Sequence, residues 1–571
     1  MFVKSSRRQN GGEKTDEKSN NNICFALTPH LDKCIIITVL KTQYMVFRIQ
    51  EEFMADSKKE VLGEQGIYDA KTLGTPKMLV LGLQHMFAMF GSTVLVPIIT
   101  GLSVSATLLF AGIGTLLFHL ITKRKVPAFL GSSFAFLAGY GAISGLMLAR
   151  EQYATEDALM AAQAGGKLYA ASQLLPYACF GVALAGLLYL VLALLFKIFG
   201  AMRVMKFFPP IVTGPIIMAI GLILSQSAIN SCASNWPIAL VAILAIIICN
   251  IWGKGMVKIL PILIGVVASY LVAAVTGNVD FSGVAAAPWV GLPIKFSNTV
   301  FALFDSSRDA GTLFLHTIVT NSAGEREVII SSMTKGGLLV TAAITIVPIA
   351  IATMMEHIGD ISAISSTVNR NFIKDPGLHR TLTGDGLATT VASLFGAPAN
   401  TTYGENTGVL SLTKVFDPFV IRLAAVFAII MSFCPKFSAI IEAMPSATVG
   451  GISLVLYGMI SAVGVRNVVE TQVDFSKSRN VIIAALILVL SIGINFSAAG
   501  SIAFSIGSAN FALSGLAVGS LVGIILNAIL PGKDFSFNED SGSETGADLS
   551  GISEKELKED SDKEASKDNK K

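Results

Sequence analysis

Charge is scarce in this 571-residue chain: Asp, Glu, Lys and Arg make up 14% of it, against about 25% in ordinary soluble domains. Several soluble domains of this total length would lack the polar residues to cover their surfaces. The formal net charge is only +3, and no dense basic stripe with interleaved aromatics appears, so nucleic-acid binding has no support. Cysteine is sparse as well. Cys24, Cys34, Cys179, Cys232, Cys249 and Cys434 mostly stand alone in apolar surroundings, which excludes a disulfide framework and a zinc site. MEHIGD is not H-E-x-x-H, and no nucleophile–base arrangement is visible, so nothing points to an enzyme, a metal or a cofactor. What the chain has in quantity is apolar residues: 52% of the sequence, with a mean hydropathy of +0.65. That composition describes an integral membrane protein.

The ends differ from the middle. Residues 1–20 are polar, and the apolar run Cys34–Leu40 is far shorter than the roughly 20 residues a spanning helix needs. MADSKKEVLGEQGIYDAKTLGTPK, from Met54, reads as an ordinary polar start ahead of a first span. Residues 1–53 are then expected to be poorly ordered or foreign to the natural chain; the other reading is a small amphipathic segment lying on the membrane. The tail 533–571 is rich in Ser, Glu and Lys with almost no apolar content, and is expected to be disordered.

Between them, apolar segments cover about 78–99, 103–121, 127–148, 173–198, 208–229, 236–251 and 257–276. A second series covers 336–355, 381–395, 403–413, 418–434, 443–464, 480–498 and 507–530. The expected fold is an all-α polytopic membrane protein of 14 transmembrane segments in two groups of seven. With a cytoplasmic N-terminus, the inside loops carry Lys123-Arg124-Lys125, Arg203, Lys206, Lys254, Lys258, Arg370, Lys374, Arg380, Lys414, Arg466, Lys477 and Arg479. That agrees with the positive-inside rule, and it puts both termini in the cytoplasm.

An odd count per half gives halves of opposite orientation, that is, inverted repeats. The third segment of each half is broken, at PAFLGSSF (127–134) and PANTTYGEN (398–406). Broken backbone is tolerated in hydrocarbon only when buried in protein or lining a cavity. The two breaks can satisfy each other by pairing as short strands, while the half-helices that follow aim their N-termini at one centre.

Three polar features interrupt the apolar field. Glu356 and Asp360, in MEHIGDIS, are four apart and share a helix face. Two carboxylates that close in a low-dielectric setting do not both stay freely ionised, which makes one a candidate proton carrier. Glu405-Asn406 opens a half-helix, where a negative group is electrostatically favoured. Gln84-His85 lies in the first span. Each also has a structural reading: Asp360 and Glu356 at a membrane interface, Glu405 as a cap, His85 as a packing residue. His357 reads as structural, Asp385 as a cap or inter-helix brace, and Gly450-Gly451 as close helix packing. Carboxylates that accept and backbone N–H groups that donate suit a small planar molecule with alternating N–H and C=O edges. An anion would be repelled by the carboxylates, and a metal cation by the donors.

The motifs GLQHMFAMFGSTVLVP, PAFLGSSFAF, MEHIGD, KDPGLHRTLTGDGLAT, NTTYGENTGVLSLTKV and LYGMISAVGVRNVVETQVDFSKSRN resemble the nucleobase–ascorbate transporter (nucleobase–cation symporter 2) family, and within it the bacterial uracil permeases. The resemblance covers about residues 70–531. It includes the family signature at Glu405, Asn406, Gly408, Thr413 and Lys414. It implies short antiparallel strands in segments 3 and 10. It also implies a cytoplasmic extension over 1–72, a core domain over 73–200 and 336–440, a gate domain over 201–278 and 441–531, an extracellular loop over 279–335 and a cytoplasmic tail over 532–571. By the resemblance, Glu356 and Glu405 bind the ring nitrogens of a nucleobase, and the backbone N–H groups of Phe134 and of Gly404 or Glu405 approach its carbonyls. His85 and Tyr403 lie in or beside the pocket, Asn406 supports it, and Glu356 and Asp360 couple the proton. The implied activity is uracil:proton symport by an elevator-like movement of core against gate, in a plasma-membrane homodimer surrounded by lipid.

Asp360 departs from the pattern, because close uracil permeases often have His there and purine-transporting relatives an acid. Glu405 pulls the other way, since purine-specific relatives commonly have Gln at that position. A xanthine or purine:proton symporter is the alternative, and an inorganic anion carrier on the same fold a more distant one. The stretch 300–335 is longer than the family pattern, with no role assigned.

Overall fold

The computed structural model describes residues 66–305, 311–320, 326–497, 500–506 and 509–532; the expectations for residues 1–53 and for the tail 533–571 lie outside them. Helix α1 (Thr75–Thr100) is followed by α2 (Val104–Ile121), whose start is capped by Ser103 accepting the Ala106 N–H. A strand β1 (Leu130–Ser132) and an eight-residue helix α3 (Leu137–Ser144) then stand where a third span was expected. Next come β2 (Met147–Ala149), α4 (Glu156–Ala164) and the long α5 (Ala171–Phe199). Helices α6 (Pro210–Cys232), α7 (Trp236–Ile251) and α8 (Pro261–Val275) each have Pro in the first turn, where a missing N–H costs nothing.

After strands β3 (Leu313–Thr320) and β4 (Arg326–Met333), α9 (Lys335–Ile346) passes through a short 3-10 turn at Val347–Ile349 into α10 (Ala350–Val368). The later part holds α11 (Leu378–Leu394), β5 (Asn400–Thr402) and α12 (Gly404–Thr413). Then α13 (Pro418–Ser432) and α14 (Pro435–Glu442) meet at a bend of 87°. The described chain ends with α15 (Ser446–Glu470), α16 (Ser478–Asn495), the hairpin β6 (Ser501–Ile506) and β7 (Ala509–Ser514), and α17 (Gly515–Ile529).

Among the described residues, seven helices are long and apolar enough to cross a membrane, or eight when the bent pair α13–α14 counts as one span. The protein is thus an all-α polytopic membrane protein with small sheets at its breaks and loops. Two expected apolar segments are composite: 127–148 is a strand and a short helix, and 507–530 includes strand β7 ahead of α17. The stretch 300–335 contains the β3–β4 hairpin.

Strands β1 and β5 pair antiparallel across the middle of the chain, with Leu130 opposite Thr402, Gly131 opposite Thr401 and Ser132 opposite Asn400. Buried backbone must find partners inside the protein, and here it does. Ser133 N–H donates to the Ala399 carbonyl at 2.8 Å and Tyr403 N–H to the Phe129 carbonyl at 3.1 Å, extending the ladder at both ends. The outer edges are met in matching ways. Thr115 of α2 accepts the Leu130 N–H at 2.9 Å and donates to its carbonyl at 3.2 Å. Thr389 of α11 does the same for Asn400, at 3.2 and 2.9 Å. The order helix, strand, half-helix therefore occurs twice, each time with a threonine from the helix clasping the strand.

Helix α5 packs along α9 and α11, and α13 along α1 and α2; separately, α6 packs along α15 and α16, and α7 along α8 and α15. Gly450-Gly451 serve close packing as the sequence suggested: a Cβ on Gly450 would lie 2.5 Å from the Cys232 nitrogen, and one on Gly451 2.5 Å from the Ala239 carbonyl oxygen.

On the sheet β2–β3–β4, His316 is buried opposite Met147. Its Nδ1 lies 3.2 Å from the Met147 carbonyl, and its Nε2 takes the Tyr153 N–H at 3.0 Å. A carbonyl only accepts and an N–H only donates, so the proton sits on Nδ1. His316→Phe removes both partners, and is expected to cost the local fold about 1–3 kcal/mol. Amide exchange at Tyr153 should then accelerate roughly tenfold or more; unchanged protection would show that the imidazole does not hold this loop.

Candidate functional site

The site is assembled where the β1–β5 crossing meets α1 and α10. Gly404 and Glu405 form the first turn of α12, directly after β5. Glu405 is half-buried, and its Oε1 accepts from Ser92 Oγ at 2.6 Å. Ser92 lies seven residues after His85 on α1, which is two helical turns along the same face.

Asn406 is buried and donates from Nδ2 to the His85 carbonyl at 3.1 Å and to His85 Nδ1 at 3.2 Å. The carbonyl can only accept, so the atom facing it is the amide nitrogen. Nδ1 is therefore an acceptor, and the His85 proton resides on Nε2. Nε2 is buried without a hydrogen-bond partner among the described residues, as is Asn406 Oδ1. A buried donor and a buried acceptor left open are groups that a polar ligand or ordered water would satisfy.

Glu356 and Asp360 stand one turn apart on α10, and α10 continues to Val368, so neither acid marks a helix end. Asp360 Oδ2 accepts from Thr402 Oγ1 of β5 at 2.7 Å, which ties α10 to the strand crossing. Glu356 Oε2 is buried with no hydrogen bond among the described residues. Asp385 of α11 lies 2.9 Å from His357 Nδ1, with both side chains fully buried. Of the two readings of Asp385, cap or inter-helix brace, this contact between α10 and α11 fits the brace.

Tyr403 is a fastening. Its hydroxyl donates to the Ser132 carbonyl at 2.9 Å and lies 3.3 Å from Thr93 Oγ1. Its ring is so close to β1 that a Cβ on Gly131 would meet it at 2.4 Å, which requires glycine there. Phe134, between β1 and α3, is buried with its ring edge-on to Tyr457 of α15, centroids 5.8 Å apart.

The structure thus brings together His85, Phe134, Glu356, Asp360, Tyr403, Gly404, Glu405 and Asn406, drawn from four separate stretches of chain. It adds three residues not singled out from the sequence: Ser92, Thr402 and Tyr457. The spacing of Ser92 from His85 was a usable signal. Tyr457 arrives from a helix distant in sequence, and no local pattern announces it.

Comparison with known proteins gives the family. The Permease family model Xan_ur_permease matches residues 76–500. The uracil permease of Bacillus caldolyticus is 39% identical over 480 residues, covering 82% of this chain and 94% of that protein. The uracil permease of Bacillus subtilis (strain 168) is 37% identical over 488 residues, covering 83% and 96%. The probable uracil permease of Haemophilus influenzae is 36% identical over 464 residues, covering 80% and 94%. The chain therefore belongs to the nucleobase–cation symporter 2 family of multi-pass membrane permeases, which are secondary transporters and not enzymes.

Proposed function

We propose that the protein imports uracil together with a proton. The observation that carries this reading is the packing of α10, where Glu356 has an open buried oxygen, against α12, which opens with Glu405 directly after the β1–β5 crossing. Two carboxylates accept the ring N–H groups of a pyrimidinedione, while the backbone at Phe134 and at Gly404–Glu405 offers N–H donors to its carbonyls. His85 Nε2–H and the Asn406 carbonyl oxygen lie behind them as a second polar layer. Phe134 and Tyr457 supply the aromatic wall. The names of the relatives above favour uracil as the planar solute.

Four acids, Glu356, Asp360, Asp385 and Glu405, share one low-dielectric region, and holding all of them charged there is costly. A proton taken up near Glu356, with Asp360 one turn away, lets the loaded and empty sites differ in charge. That difference in affinity between states is what coupling requires. In this reading the chain has 14 segments in two inverted repeats of seven, an arrangement supported by the antiparallel strand pair and the twin threonine clasps. Residues 73–200 and 336–440 form the moving core, and 201–278 with 441–531 the gate and homodimer surface. Both termini face the cytoplasm.

Asp360 favours a second reading, a xanthine or purine:proton symporter, because an acid bonded to Thr402 departs from the histidine common in uracil permeases. Competition separates them. Unlabelled uracil should displace labelled uracil uptake far better than xanthine or uric acid; the reverse order would establish the purine reading. Chloride currents without nucleobase uptake would favour an anion carrier.

A further inference from the structure

The segment between α8 and the turn at Val300–Phe304 is not a span, yet it carries large apolar side chains in the open. Trp289 is 59% exposed, Val290 79% and Leu292 85%. These residues are not loosely held. Pro288 accepts the Lys436 N–H at 3.0 Å, and Gly291 N–H donates to the Phe433 carbonyl at 3.1 Å, so two backbone hydrogen bonds fix the tip on the bend between α13 and α14. Lys436 Nζ lies 5.2 Å from the centre of the Trp289 ring. At one end of the strap, Val279 packs on Ile238, Ala273 and Ala447; further along, Ile294 packs on the cluster of Ala106, Leu109, Phe110, Ala392 and Ala397. The strap thus joins the group of α7, α8 and α15 to the group of α2 and α11.

We propose that Trp289, Val290 and Leu292 dock into the headgroup–acyl boundary of the bilayer, making this strap an interfacial anchor. The tip continues an apolar surface already turned outward, since Val426, Ile430 and Phe433 at the end of α13 are exposed beside it. A tryptophan is suited to that boundary, where its ring is wetted at one edge, and Lys436, itself buried, holds that ring from the protein side. A second copy of the chain fits less well. An aromatic side chain buries about 150–250 Å², so three side chains, only one of them aromatic, fall short of the roughly 800 Å² that each partner gives to a stable protein interface. Anchoring here would hold the linkage between the two helix groups at a fixed depth, so that their relative movement is referred to the membrane surface.

The chain has three tryptophans, and Trp236 and Trp252 are both exposed enough to replace. In the variant W236F/W252F, Trp289 reports alone. In vesicles of lipid brominated at carbons 6–7, its emission should fall about twofold, and less with bromines at carbons 11–12, because an interfacial ring sits only about 5–10 Å deep. Should the double variant not fold, the difference between the unaltered protein and W289F in the same lipids reads the same ring. Unquenched emission with a red-shifted maximum would place the tip in water and overturn the proposal. Unquenched emission with a blue-shifted maximum would mean a protein partner covers it, which overturns the proposal equally.

Discussion

Glu405→Gln is expected to weaken uracil binding by about 1.5–3 kcal/mol, roughly 10- to 150-fold. The substitution keeps the shape of the side chain and leaves a carbonyl oxygen for Ser92, which now donates to Glu405 Oε1 at 2.6 Å. It removes the charge at the head of α12 and replaces one acceptor by a donor, which would face a ring N–H. Binding of labelled uracil to the purified variant measures the loss directly. Ser92→Ala serves as the calibrating neighbour: it removes one neutral hydroxyl donor and should cost about 0.5–1.5 kcal/mol. Uracil affinity unchanged in E405Q would mean that the carboxylate caps its helix and touches no ligand.

The largest effect on the fold itself is expected at Asp385. Its carboxylate and the His357 ring face each other at 2.9 Å, both wholly buried, and they join α10 to α11. Asp385→Ala leaves the buried imidazole without its polar neighbour, which costs about 1–3 kcal/mol, and opens a small cavity that adds to the loss. Asp385→Asn keeps the volume and one acceptor, so it should cost less than Asp385→Ala. Thermal unfolding of the two variants in detergent, followed by the loss of the monodisperse species, orders them. Equal midpoints for D385A and the unaltered protein would remove the brace from the account. Because α10 also carries Glu356 and Asp360, D385A should lower uptake even where the protein survives purification.

Much of this architecture could be read from apolar runs and prolines. The run 78–99 became α1 at Thr75–Thr100, and the breaks after Pro127 and Pro398 became β1 and β5. The reason is physical: lipid admits few alternatives to a helix, so a stretch that breaks helix rules must be buried against another. The legible parts of the site were the groups that are expensive in hydrocarbon, namely Glu356, Asp360, Glu405 and His85.

The features that apolar runs do not mark have equally definite causes. The apolar run that stops at Met355 hid the true length of α10, because its continuation EHIGDISAISSTV is polar on a helix buried in protein rather than facing lipid. The hairpin at Leu313–Met333 is rich in β-branched residues, a real strand signal that a search for membrane helices passes over. In the same way the hairpin β6–β7 shortened the expected last span to Gly515–Ile529. Thr402 and Tyr457 depend on contacts between distant parts of the chain. Their roles follow from Asp360 at 2.7 Å and Phe134 at 5.8 Å, not from any local pattern.

The central claim is that nucleobase movement is tied to a proton through the carboxylates at the strand crossing. Uptake of labelled uracil into vesicles containing the purified protein, with and without an imposed pH gradient, tests it most directly. The account predicts accumulation above the external concentration when the outside is acidic, collapsing to simple equilibration when the gradient is dissipated, and lost in Glu356→Gln. Accumulation indifferent to the gradient, or unaltered coupling in E356Q, would contradict it.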